Sequence, residues 1–439
     1  MKRAIGPKLL VFFVIGDILG TGIYALTGDV AEVIGGALWL PFLLAFVVAF
    51  ITAFSYLELV GKYPRAAGAA LYTHKAFGVD FLTFMVTFTV MASGVTSAAT
   101  AARAFSDTYL PQFVQLPSWA VAAVFVIGLA LVNFRGVGES VRANVVLTCV
   151  ELGGLLLIIG VGVFAVLQGQ GEPARLTEIN TADNTTAFLA ITAATSLAFF
   201  AMVGFEDSVN MAEECHDPPR IFPRAMLLGM GVAAAVYVAV AVLSSLLVPA
   251  AELGPPAAAR SSSCWRGARF PLMVFAAIGL LAVINSALIN MLMASRLLYG
   301  MSNERILPTV FGRVHPSRRT PWVAIVFTTL VAVVLTLTAP LSVLGGTTGL
   351  LLLAVFTIVN VAVLVLRRDT VEHAHFRAPG WTPYAGILLC GYLVTPLSGR
   401  NPQQYVVAGV LLAVGVLLWL VNRLVVGRVE VHAEKLGKG

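Results

Sequence analysis

Three carboxylates, Asp17, Glu151 and Glu206, stand inside stretches of this 439-residue chain that are otherwise apolar enough to cross a bilayer. An acid at the centre of a membrane helix costs roughly 2.5–3.5 kcal/mol on insertion scales, so each is a functional-site candidate by default. Taken out of water, a carboxyl favours its neutral form, which suits it to carrying a proton. Asp17 also lies among Gly16, Gly20 and Gly22 in "GDILGTGIYALTG", residues 16–28. Each glycine weakens a helix by about 1 kcal/mol relative to alanine. Such clustering beside an acid points to backbone that is not helical there.

Membrane backbone must hydrogen-bond internally unless it lines a cavity. A helix broken at Gly20-Thr21-Gly22 frees amide N–H groups at the start of its second half. With the positive end of the half-helix dipole, they form a seat for a carboxylate. Carbonyls released by the first half, near Ile18 and Leu19, would face an ammonium. The plainer reading of the glycines is close helix packing. A second interruption weighs against it: "SLAFFAMVGFEDSVNMAEE", 196–214, places Gly204 just before the adjacent acids Glu206 and Asp207. Paired interruptions in corresponding spans are the best sequence pointer to a transporter binding site.

The elements that must position these groups follow from composition. The chain is 59% hydrophobic and 11% charged, against about 25% charged in soluble domains, which makes it a polytopic, all-α membrane protein. At about 20 apolar residues per span, twelve spans fit: roughly 8–30, 37–60, 81–105, 119–134, 144–169, 187–212, 225–249, 270–299, 322–339, 341–366, 383–398 and 404–426. The two interruptions then fall in spans one and six, the same position in two five-helix halves. Of the 28 basic residues, all but Arg103, Arg175, Arg260, Arg266, Arg269 and Arg400 fall on one side when both termini are placed together. That bias orients both termini to the cytoplasm, in a cell membrane. Lys2, Arg3 and Lys8 lead straight into apolar residues without a small-residue cleavage site, so no cleavable signal peptide is expected.

Other features read more plainly. The net charge of +6 is dispersed in short loops without a basic-aromatic patch, so nucleic acid is not an expected partner. Cys149, Cys215, Cys264 and Cys390 show no paired spacing and read as core thiols. All six His are expected in loops or tails and lack ligand spacing; no metal and no cofactor is expected. Glu58 is placed at the inner membrane boundary. Asp207, Glu213 and Glu214 are candidates to pair with Arg220 or Arg224. "NTT" at 184–186 fits a glycosylation acceptor but is matched easily by chance. The segment 255–271, "PPAAARSSSCWRGARFP", reads either as a solvated loop or, over 255–269, as a short out-of-frame stretch, and has no assigned function.

Four blocks in order give the chain a resemblance to the amino acid–polyamine–organocation permeases. "GTGIYALTG" looks like that family's first-helix signature, and "FFAMVGFEDSVNMAEECHDPPRIFPRA" like its sixth-helix block. "SYLELVGKYPRAAGAALYTHKAFG", 55–78, is similar to its cytoplasmic segment after helix two. "ASRLLYGMSNERILP" with "VHPSRRTP", 294–321, matches the end of helix eight and the loop beyond. The resemblance covers nearly all the chain except 255–269. It implies one transmembrane domain over 1–439: an inverted repeat of 1–170 and 187–366, two added helices over 383–426, and a cytoplasmic tail from 427. It also implies an amino acid at mid-membrane, its carboxylate at the amides of Gly20, Thr21, Gly22 and Ile23. The ammonium would meet carbonyls of Ile18, Phe200, Ala201 and Val203 around Gly204, with Phe200 as an aromatic lid or an ordinary core ring. Asn290 would face the substrate or make a packing hydrogen bond.

Glu151 departs from the family pattern. The proton-coupled branch reads N-x-x-L-T-x-x-K in helix five, and "NVVLTCVE", 144–151, keeps Asn144, Leu147 and Thr148 but ends in an acid. Three roles stay open: proton carrier sharing its proton with Asp17, sodium ligand, or structural hydrogen-bonding acid. Glu206 would face the same pathway. The expected function is secondary active uptake of an amino acid, coupled to protons. Exchange, sodium coupling and polyamine transport on the same fold are alternatives. Ser93, Gly94, Thr96 and Ser97 leave the side-chain pocket roomy, so the choice of amino acid stays open, as does the oligomeric state. An intramembrane aspartyl protease using Asp17 and Asp207 would need two close carboxyls and lacks signatures; a passive channel would need a filter or charged ring. The reading is of a transporter, not an enzyme.

Overall fold

A computed structural model describes residues 6–65, 68–135, 141–181, 186–253, 272–303 and 305–426. It is helical throughout, with no strand among the described residues. The main helices are α1 (Pro7–Ile18), α2 (Thr21–Ile34), α3 (Trp39–Lys62), α4 (Gly68–Phe77), α5 (Asp80–Arg103), α6 (Ser118–Arg135) and α7 (Val141–Leu167). They continue with α8 (Ala187–Ala198), α9 (Pro218–Leu247), α10 (Leu272–Asn303), α11 (Trp322–Thr338), α12 (Leu341–Leu366), α13 (Thr382–Val394) and α14 (Pro402–Val426). Among the described residues ten helical stretches are long and apolar enough to cross a membrane, and α11 and α13 are shorter apolar helices at the ninth and eleventh expected positions. Every expected span thus has its helix. The segments 255–271 and Asn184 of the glycosylation motif lie outside the described residues; Thr186, the last residue of that motif, caps α8 by accepting from the Leu189 amide at 3.2 Å.

Proline explains why two spans fall short. A residue before proline is pushed out of the helical region. Ala339 before Pro340 is extended at φ −125°, ψ 142°, and ends α11. Thr395 before Pro396 does the same at φ −77°, ψ 156°, so α13 stops at Val394 instead of running to 398.

The interior is built around α1, α3, α5, α9, α10 and α12. α1 packs on α9 and α7, α3 on α9, and both α10 and α12 on α5. α6 and α14 lie at the outside; Val124 and Leu131 on α6 are 68% and 60% exposed, as expected of a face that meets lipid. Two expectations are corrected here. Residues 68–77 form a helix whose Gly68–Thr73 stretch is buried, so His74 is helical rather than in a loop; its ring contacts Thr83 at 3.2 Å and Asp80 at 3.9 Å. Cys149 is exposed, because α7 turns that face outward, whereas Cys215 and Cys390 are buried. Arg220 pairs with Asp217 at 3.5 Å, three residues before it on the same turn; the side chains of Glu213 and Glu214 lie outside the described residues.

Candidate functional site at two broken helices

The first break lies at Leu19–Gly20. Gly20 takes φ −60°, ψ −144°, which no helix continues, and α2 starts at Thr21 with no side chain capping its N-terminus. The first amides of a helix have no intrahelical acceptor, so those of Thr21, Gly22 and Ile23 are the available donors. The Thr21 hydroxyl beside them is buried and has no hydrogen-bond partner among the described residues. Open amides and a buried hydroxyl at the positive end of a helix dipole are the elements from which anion sites at helix N-termini are built.

The second break is sharper. α8 tightens into a 3₁₀ turn over Phe199–Met202, Val203 is extended, and Gly204 takes φ +123°. A side chain is strained in that conformation, so glycine is required. The chain then resumes as a 3₁₀ helix over Asp207–Glu214, where the sequence pattern predicted α-helix. Glu206 folds back so that its Oε2 accepts from the Gly204 amide at 2.9 Å.

The two breaks touch. A Cβ at Gly204 would lie 2.7 Å from the Asp17 carbonyl oxygen, and a Cβ at Gly22 would run into the Ala201 backbone. Gly20, Thr21, Gly22, Phe200, Ala201 and Gly204 are all buried, and Asp17 and Val203 partly so. The Ile18 carbonyl accepts from the Tyr237 hydroxyl of α9, and the Phe200 carbonyl accepts from the Val203 amide at 3.4 Å. α10 and α12 close the walls. Ser286 comes within 3.0 Å of a Cβ at Gly20, and a Cβ at Gly349 would stand 3.7 Å from the Phe200 amide. Asn290 donates to the Ser286 carbonyl at 2.9 Å and stands against Gly94 of α5. Its packing bond is therefore made within its own helix.

Glu151 is 1% exposed, and one oxygen, Oε1, accepts from Asn285 Nδ2 at 3.1 Å. Its Oε2 has no hydrogen-bond partner among the described residues. Its backbone carbonyl accepts from the Tyr24 hydroxyl at 3.2 Å, which ties α7 to the second half of the broken helix. Thr148, one turn before Glu151, packs so closely on Gly16 that no side chain fits there. Glu151 thus belongs to the same neighbourhood as the first break. Tyr237, Ser286 and Asn285 were missed from sequence. A lone Tyr, Ser or Asn in an apolar helix carries no spacing signal; only their approach to the breaks distinguishes them.

The family model described as amino acid permease matches residues 5–422 of this chain. The chain belongs to that family, within the amino acid–polyamine–organocation superfamily. Among its relatives, the methylthioribose transporter of Bacillus subtilis is 27% identical, over 95% of this chain and 93% of its own. The branched-chain amino acid permease of the same organism is 25% identical, over 93% and 90%. Human cationic amino acid transporter 4 is 26% identical over 84% of this chain and 60% of its own length. The permease is accordingly an integral membrane protein of the transporter class, and its relatives carry chemically different cargoes.

Proposed function

We propose that this permease takes up an amino acid by alternating access, with the substrate held between the two breaks. The observation that carries the proposal is the uncapped start of α2, with a Thr21 hydroxyl that has no partner among the described residues, packed at Gly22 against Ala201 of the second broken helix. The amides of Thr21, Gly22 and Ile23, with Gly20 leaving room at the turn, take the carboxylate. The ammonium goes to the carbonyls of Ala201 and Val203, and to those of Ile18 and Phe200 through their second lone pairs. Phe200 covers the substrate. Helices one to five and six to ten act as inverted halves, 1–170 and 187–366, with both termini cytoplasmic in the cell membrane; the Lys and Arg bias supports that orientation.

Glu151 is proposed as the proton carrier. Among the described residues its carboxyl has a neutral amide on one oxygen and no partner on the other, so no counter-charge there holds it in one protonation state. Neutralised from the acidic side, it lowers the cost of moving the loaded site to the other side. Asp17 adjoins the same break and tunes that group. Glu206 is occupied as a cap of the second bend and is the secondary candidate.

Competition of a panel of amino acids against one labelled amino acid, in proteoliposomes with an imposed pH gradient, tests both parts. Uptake should follow the pH gradient and be blocked by amino acids with free carboxylate and amine. Uptake that follows an imposed sodium gradient at equal pH would remove the proton role. A second reading comes from the methylthioribose relative. A thio-sugar has hydroxyls in place of a carboxylate, and competition by it with none by amino acids would give the amides a hydroxyl to bind.

A further inference from the structure

Away from the breaks, a groove of about 310 Å³ opens at the end of α6, lined by Gly128, Leu131, Val132, Phe134, Arg135 and Arg318. Its walls are apolar along α6 and its mouth carries two guanidinium groups. Leu131 is 60% exposed on a helix that faces outward, so the groove opens toward lipid rather than into the protein. A Cβ at Gly128 would meet nothing within 4 Å, which marks the floor as open space. Small-molecule sites begin at roughly 300 Å³.

The arginine on the far wall is held in place. The loop that carries Arg318 is pinned to α6 by the Thr320 hydroxyl, which donates to the Phe134 carbonyl at 3.0 Å, and by His315, whose ring meets Phe134 edge-on at 5.2 Å. The loop also closes on itself: the His315 amide donates to the Thr320 carbonyl at 2.9 Å, and the Arg319 amide to the His315 carbonyl at 2.8 Å. Neither Arg135 nor Arg318 has a carboxylate partner among the described residues. Two guanidinium groups above an apolar slot match one molecule in both parts. The C-terminal end of the α6 dipole opposes an anion, but it amounts to about half a charge against two full ones.

We propose that this groove binds an anionic glycerophospholipid, its acyl chain along Gly128, Leu131 and Val132 and its phosphate at Arg135 and Arg318. Basic pockets of this kind at the membrane surface select charged headgroups. The assignment to the cytoplasmic leaflet rests on the orientation proposed above; binding itself does not.

Native mass spectrometry of the purified full-length protein in detergent, titrated with phosphatidylglycerol or phosphatidylcholine of the same chains, tests the site without reference to orientation or transport. Wild type should retain phosphatidylglycerol in preference by tenfold or more, at roughly fivefold per arginine. Arg135→Gln with Arg318→Gln should bring it down to the phosphatidylcholine level, and Arg135→Lys with Arg318→Lys should keep most of the preference. If the glutamine pair fails to fold, Arg318→Gln alone, on an exposed loop, should lose about half the preference on a logarithmic scale. Gly128→Leu, which fills the slot and leaves both charges, should reduce retention of both lipids. Equal retention of the two lipids by wild type, full preference in the glutamine variants, or unchanged retention in Gly128→Leu would each overturn the proposal. So would a dimer that replaces the lipid adduct and disappears in Gly128→Leu, since the groove would then belong to a second copy.

Discussion

Glu58 and Glu151 are both buried glutamates on apolar helices, 3% and 1% exposed, and their surroundings could hardly differ more. Glu58 is fully occupied. Arg367 donates to its two oxygens at 3.0 and 2.8 Å, and the Ala378 amide adds a third bond at 2.9 Å. Around it, Lys62 donates to the carbonyls of Leu366 and Asp369, and Tyr63 to the Asp369 carboxylate at 2.9 Å. This cluster ties α3 to the end of α12 and to the loop beyond it. The guanidinium of Arg367 is held even more firmly in its charged form by its bonds to Glu58. Among the described residues, Glu151 has one neutral partner and one bare oxygen. A buried charge with all its bonds made serves architecture; a buried acid left half unsatisfied has a state still to choose.

The sharpest way to break that contrast is to remove a partner on each side and compare. Glu58→Gln leaves the Arg367 guanidinium without its counter-charge and should cost roughly 3–5 kcal/mol of stability, read as a lowered denaturation midpoint in detergent. Uptake should fall only in proportion to folded protein. Uptake lost at full stability would place Glu58 in the transport cycle. Gly20→Val should abolish uptake while expression and insertion persist, because a branched Cβ crowds Ser286 and narrows the turn before the free amides. Binding measured by ligand-dependent thermal shift should vanish with it. Gly22→Val is a poorer probe, since its Cβ meets the Ala201 backbone and uptake fails whether or not a carboxylate binds there.

Glu151→Gln is expected to keep stability within about 1 kcal/mol and to keep counterflow exchange, while uptake stops responding to a pH gradient. Retained coupling would move the proton to Asp17 or Glu206. The smallest effect belongs to Asn285→Ala. It removes the one hydrogen bond on the Glu151 carboxyl, at a cost of about 1–3 kcal/mol, and should displace the pH profile of uptake without flattening it. An unmoved profile would reduce Asn285 to packing.

Much of this was legible in the chain. Apolar runs placed every spanning helix, though not the short helix over 68–77, and Gly20 and Gly204 marked both interruptions, because glycine in a spanning helix has a visible cost. The proline stop at 340 was read, since the ninth span ended at 339; the one at 396 was overrun, since Leu397 and its neighbours are apolar enough to extend a window. The 3₁₀ character of 207–214 was hidden because acids and small residues there fit either helix. Glu58 looked like an unremarkable boundary acid; its partner lies 309 residues away, and no local pattern announces a pairing at that distance. Tyr237 and Ser286 were invisible for the same reason. Periodicity reports which face is buried, but not which neighbour waits there.

The contact between the two breaks also bears on how such a protein diversifies. Position 204 cannot accept a side chain because of its backbone and the Asp17 carbonyl, and position 22 cannot because Ala201 fills the space. Mutation at either is closed as a route to a new cargo. The accessible routes are the walls, where a Cβ added at Gly94 would stand 3.4 Å from the Asn290 carbonyl and one at Gly349 3.7 Å from the Phe200 amide, at ordinary contact distance. A lineage that exchanges one cargo for another would keep its two bends and rewrite its lining at α5, α10 and α12.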